Sequence, residues 1–196
     1  MSLELKEAKG KLGAALMITT NSASIICMDV TFASNTATIE GGGAIYASEG
    51  ANPHLRKTRF IGNSAEAETE GARNGNGGAI NIYKATVTLS GTLEVIGNSA
   101  SGKRGAIFID DGFLNIGVDT ISAKVFQGNT AGGLSNSIYL EGLSEVNFGS
   151  IDERGKVRIF DPIGSTGQMG KVNVNGFTEV ELETGGEVGT VIPNLI

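Results

Sequence analysis

Tryptophan is absent from this 196-residue chain, cysteine occurs once and proline three times. A single thiol, Cys27, cannot close an internal disulfide, so packing and hydrogen bonds must hold the fold together. No apolar run approaches the ~20 residues of a membrane-spanning helix. The opening residues MSLELKEAKG show neither the cationic region nor the apolar core of a secretion signal, and the chain reads as a piece of a longer protein. Charged residues are sparse at 18%, and the net charge is −6. No basic field attracts nucleic acid or an anionic membrane, and neither is expected as a partner. What the chain has in excess is glycine, at 30 residues, a composition of tight turns joining short strands.

Two short motifs alternate along it. Phe-x-x-Asn occurs as Phe32-Ala33-Ser34-Asn35, Phe60-Ile61-Gly62-Asn63 and Phe126-Gln127-Gly128-Asn129, with Val95-Ile96-Gly97-Asn98 as a variant that keeps the Asn. Each is followed by a form of Gly-Gly-Ala-Ile: Gly42-Gly43-Ala44-Ile45, Gly77-Gly78-Ala79-Ile80, Arg104-Gly105-Ala106-Ile107 and the decayed Ser135-Asn136-Ser137-Ile138. Leu12-Gly13-Ala14-Ala15-Leu16 is a worn copy ahead of the first. The Asn-to-Asn steps are 28 (63−35), 35 (98−63) and 31 (129−98), within the range of a stacked solenoid.

The unit that starts at Gly77 reads as three short strands with period-two alternation: Gly77 to Tyr83, Thr86 to Ser90, and Thr92 to Ile96, with turns at Lys84-Ala85 and Gly91. The expected fold is therefore all-β, a parallel β-helix of three sheets with about five to six rungs ~4.8 Å apart. Phe32, Phe60, Val95 and Phe126 are expected to stack as a column, and Asn35, Asn63, Asn98 and Asn129 to bond to one another up the turns. The paired glycines are expected to supply positive φ, with Ala in a crowded corner and Ile in the interior. Asn173 and Asn175, outside the motif, are expected to matter little. Glu4 to Lys9 have helix-forming composition. Residues 1–10 are read as an N-terminal cap or added segment, 11–163 as the repeats, and 164–196 as further rungs.

The interleaved motifs resemble those of the polymorphic membrane proteins of Chlamydiae, and Val157-Arg158-Ile159-Phe160-Asp161-Pro162-Ile163 is similar to a segment late in those proteins. The resemblance covers roughly Lys11 to Ile163. It implies an autotransporter passenger, folded as a right-handed parallel β-helix and displayed on the bacterial surface or secreted after processing. Attachment to the outer membrane is implied only through a barrel that this chain does not include. It also implies adhesion to a host-cell protein or glycan, with Phe32, Asn35, Gly42, Gly43, Ala44, Ile45, Phe60, Asn63, Gly77, Gly78, Ala79, Ile80, Asn98, Gly105, Ala106, Ile107, Phe126 and Asn129 as the motif residues. Their apolar character assigns them to the scaffold. An insertion after Asn63, with Glu66, Glu68, Glu70, Arg73 and Asn74, is the candidate contact loop, because it has no large apolar residue with which to pack. Exposed solenoid ends offer a route to oligomers. A stalk without its own ligand is the alternative.

Sharper chemistry does not survive inspection. Gly97 to Lys103 matches G-x-x-x-x-G-K, but Arg104 stands where a P-loop needs Ser or Thr, and a strand follows instead of a helix. Asp110-Asp111-Gly112 is an ordinary turn sequence, without the partners of a glycan-cleaving β-helix enzyme. His54, the one histidine, stands beside Pro53 in what reads as a polar loop, and Cys27 lies on an apolar strand as a small hydrophobe. No Gly-Gly-x-Gly-x-Asp repeat calls for calcium. No catalytic residue, cofactor or metal is assigned.

Overall fold

The computed structural model describes residues 2–20, 25–66, 75–102, 104–117, 123–149, 156–166, 170–175 and 179–182. Among them there is no helix, and every strand belongs to one of three sheets that the chain visits in turn. Sheet A stacks Leu3–Lys6, Ile26–Ala33, His54–Ile61, Thr86–Ile96, Phe113–Gly117, Glu145–Gly149 and Lys171–Asn175. Lys124–Gln127, Lys156–Ile159 and Glu179–Leu182 continue its second half. Sheet B stacks Lys9–Leu12, Thr36–Gly41, Ser64–Ala65, Ser99–Ala100 and Thr130–Ala131. Sheet C stacks Leu16–Ile18, Ile45–Ser48, Ile80–Tyr83, Ile107–Asp110, Ile138–Glu141 and Ile163–Ser165. All pairings are parallel except the small hairpin of Thr130–Ala131 with Leu134–Ser135. The chain is a β-solenoid, as its motif spacing implies.

Register puts like on like. Leu5, Phe32, Phe60, Val95, Phe126 and Ile159 face one another through successive turns. The Phe32 and Phe60 rings lie 5.1 Å apart and within 5° of parallel. Leu16, Ile45, Ile80, Ile107, Ile138 and Ile163 make the matching column of sheet C. Both columns belong to one continuous apolar core. Each fully buried side chain of this size contributes roughly 1.5–3 kcal/mol, which lets the coil do without a disulfide.

The path of the strands departs from the sequence reading at Gly91, at Glu4 to Lys9 and at His54. Gly91 (φ 68°) is no turn between separate strands but a kink within Thr86–Ile96, level with Asp29 (φ 57°) and Lys57 (φ 54°) in the strands above it. The backbone bends there without leaving the sheet, as at a bulge. Two of the three strands assigned to each turn are thus halves of sheet A, and the third sheet is built from the residues just after each Asn. Glu4 to Lys9 do not form a helix, because pairing of Leu3–Lys6 with Val30 to Ala33 overrides local propensity. His54 opens a strand of sheet A and is exposed.

Candidate functional site

The motif asparagines form a continuous ladder inside the coil. Asn35 donates from Nδ2 to Oδ1 of Asn63 at 2.9 Å, Asn63 to Asn98 at 2.9 Å, and Asn98 to Asn129 at 3.0 Å. The same Oδ1 atoms accept the backbone N–H of the preceding Asn, at 3.0 Å, 2.9 Å and 3.1 Å. The second amide hydrogen goes to the carbonyl of Leu5, Phe32, Phe60 or Val95 one turn back. All four asparagines are wholly buried, and no donor or acceptor among them is left over. Neighbouring residues explain the geometry: Ser34 (φ 53°), Gly62, Gly97 and Gly128 take positive φ and turn the strand end so that the Asn points inward.

The ladder ends on a residue that was not read as part of it. Asp161, 7% exposed, occupies the Asn position on the next turn. Its Oδ2 accepts from Asn129 N (2.8 Å), Asn129 Nδ2 (3.0 Å) and Ser137 Oγ (3.1 Å), and its Oδ1 from Gly128 N (3.2 Å) and Ser135 Oγ (2.9 Å). A carboxylate accepts but does not donate, so it closes the series. The decayed copy Ser135-Asn136-Ser137-Ile138 now has a reason: its two serines donate to Asp161 where the intact motif has glycine and alanine.

In the Gly-Gly-Ala-Ile corners the two glycines have separate tasks, not the shared one expected. Gly42 (φ 72°) and Gly77 (φ 67°) take positive φ. Gly43 and Gly78 do not, but a Cβ on Gly78 would sit 2.5 Å from the Ser99 carbonyl oxygen. Arg104, in place of a first glycine, turns its guanidinium to Glu141 (3.0 Å) and over the Phe108 ring (5.1 Å). Ala44, Ala79, Ala106, Ile45, Ile80 and Ile107 have no exposed surface, like Phe32, Phe60 and Phe126. Gly42, Gly43, Gly77, Gly78 and Gly105 are buried as well. While the coil is intact, a partner cannot touch these side chains.

A third repeated signal, missed in the sequence, is the pair after each Asn: Thr36-Ala37, Ser64-Ala65, Ser99-Ala100 and Thr130-Ala131, the strands of sheet B. Their alanines are 0–4% exposed. Asn173 also proves to have a role: its Nδ2 reaches Asn147 Oδ1 at 2.7 Å, and Asn147 Nδ2 reaches Asn115 Oδ1 at 2.9 Å. This second ladder lies on the outer, half-exposed face of sheet A, where water replaces a lost partner. Asn147→Ala is therefore expected to cost only about 0.5 kcal/mol in urea unfolding. A loss as large as that of a buried Asn would show that the outer ladder is not hydrated.

Of the candidate contact loop, Glu66 is exposed at the end of Ser64–Ala65, while Glu68, Glu70, Arg73 and Asn74 lie outside the described residues. Cys27 is half-buried against the core, and burial raises its thiol pKa, which lowers its thiolate content and reactivity. Asp111 (φ 50°) sits in the turn expected for it and accepts from Leu143 N at 2.9 Å. The described residues contain no metal-ligating cluster and no helix long and apolar enough to cross a membrane.

No curated protein and no solved structure matches the chain significantly. A family model of the Chlamydia polymorphic membrane protein repeat matches residues 29–48, the turn that carries Phe32, Asn35 and Gly42 to Ile45. That turn stacks in register on others built from the same motifs, and over residues 29–48 it is similar to the Chlamydia polymorphic membrane protein repeat, which supports that family.

Proposed function

We propose that the chain is passenger from a surface-displayed autotransporter and acts as an adhesin for host cells, without catalysis of its own. The family match supports the passenger assignment. The observation that carries the mechanism is the burial of the motif Phe, Asn, Ala and Ile side chains, which makes the motifs the scaffold and leaves contact to outward residues. Loss of binding on motif mutation then follows from collapse of the coil. The partner in this reading is a host surface protein or glycan, and the chain reaches the cell surface on a barrel borne elsewhere in its parent.

Beads coated with the chain are expected to adhere to epithelial cells. Inert beads would favour the stalk reading, which the uninterrupted core also suits. The insertion after Glu66 is the first place to look for contact. Ala65 is buried at 1% and Glu66 N donates to Ala37 O at 2.7 Å, so an excision that spares the coil begins at residue 67. Replacing residues 67–74 by a Gly-Ser link is expected to abolish cell binding while leaving Tm unchanged. Full binding by that folded variant would move the contact to another face.

A further inference from the structure

The outer face of sheet C carries a column that no motif explains. Met17, Tyr46, Asn81, Phe108 and Tyr139 follow one another in register, and Asn81 interrupts a run of aromatic residues. Its Nδ2 donates to the Glu40 carbonyl at 3.1 Å, but its Oδ1 has no protein partner although the residue is only 4% exposed. A buried acceptor left without a donor demands an explanation. The short side chain leaves a pocket lined by Glu40, Tyr46, Asn81, Tyr83, Phe108 and Asp110, with about 10 Å³ of room for a group of water's size.

The walls restrict what can enter. The orphaned atom accepts, two of the lining side chains are carboxylates, and the remaining surface is aromatic. A sugar ring is too large for such a space. A hard divalent ion is held by clustered carboxylates, and the described residues bring no three acidic, histidine or cysteine side chains together here. An ammonium has the right size, three N–H donors for three acceptor groups, and an attraction to ring faces that this region already displays. Lys84 lies 5.1 Å over Tyr83, and Arg104 lies 5.1 Å over Phe108. The chain's net charge of −6 also favours a cationic partner.

We propose that this pocket receives the ammonium tip of a lysine side chain from a protein partner, with the methylene stem along Tyr46 and Tyr83. It rests on the adhesive reading for the identity of the partner, whereas the binding itself needs no cell. The probe is Nα-acetyl-lysine methylamide, titrated into ¹⁵N-labelled chain and followed at the backbone amides of residue 81 and Phe108, which wild type and variants share. A saturable shift is expected, absent with the Nε-acetylated probe, which has the same stem but no charge. Asn81→Phe completes the aromatic column and removes the orphaned acceptor, and is expected to weaken binding about tenfold or more in a variant that keeps the wild-type β-sheet circular dichroism. Should it misfold, Asp110→Asn removes one acceptor charge and is expected to weaken binding several-fold. No saturable shift, an equal response to the acetylated probe, or undiminished binding by the folded variants would overturn the proposal and leave an ordinary water in the pocket. Adhesion by beads that carry Asn81→Phe would leave the adhesive reading standing without this site.

Discussion

Asn98→Ala is expected to lower the unfolding free energy by about 3 kcal/mol. The side chain stands mid-ladder, giving hydrogens to Phe60 O and Asn129 Oδ1 and accepting from Asn63 N and Nδ2. Alanine strands the Asn63 backbone N–H and takes the amide bond from the Phe60 carbonyl where water does not reach, and a buried group left unpaired costs about 1–3 kcal/mol. Asn98→Asp is expected to be no better. It restores the acceptor but sets a carboxylate beside Asn129 Oδ1 with no hydrogen to offer. Asp161 escapes that penalty because, among the described residues, no Asn of the ladder stacks beyond it to receive a bond. Urea midpoints decide the matter: an alanine variant that unfolds with wild type would show that the ladder carries no weight.

Gly78→Ala is expected to do comparable damage for a different reason. The added methyl would meet Ser99 O, C and N at 2.5, 2.6 and 2.7 Å, all of them backbone atoms of the next turn. Nothing there can swing aside. Ser99 also donates its N–H to Asn63 O, so any displacement passes into the ladder. Overpacking of this sort typically costs 1–3 kcal/mol. With a contact made wholly of backbone we expect the top of that range, a fall in Tm of about 10 °C. Gly97→Ala is the comparison. Its φ is +63° but its Cβ would meet nothing within 4 Å, so only the left-handed backbone penalty of about 1–2 kcal/mol applies. Equal melting of the two variants would remove close approach as the reason for Gly78.

Much of this architecture was legible because stacking translates spacing in the sequence into contact in space. A Phe or Asn that recurs every ~30 residues must meet its own kind, and Phe32 on Phe60 or Asn63 on Asn98 follows from that alone. The path within a turn was harder to read. Period-two alternation is the same on both sides of a kink as on both sides of a corner, so Gly91 could not be told from a true turn. The strands of sheet B are two residues long on several turns, too short for any periodicity. Their signal was compositional, an Asn followed by Ser or Thr and then Ala. Asp161 reads as part of the segment Val157 to Ile163, and nothing local marks it as the heir of an Asn. Its role depends on Ser135 and Ser137, which donate to it across the turn. The pocket beside Asn81 was invisible for a related reason: it consists of what a neighbouring turn leaves empty.

The ladder's one-way donation has a consequence for how such genes change. Every Asn between Asn35 and Asn129 presents the same face to the turn before it and the same face to the turn after it. A duplicated or deleted turn therefore leaves both neighbours matched, and the steps of 28, 35 and 31 residues show that the material between junctions is free to vary. Asp161 breaks this interchangeability, because its carboxylate has no hydrogen to hand onward. Recombination can alter the number of turns upstream of Asp161 with the ladder still matched, while an Asn-bearing copy spliced in directly behind it is offered no hydrogen. The ladder is open to growth on one side and closed on the other, even though strands of sheets A and C stack on beyond Asp161.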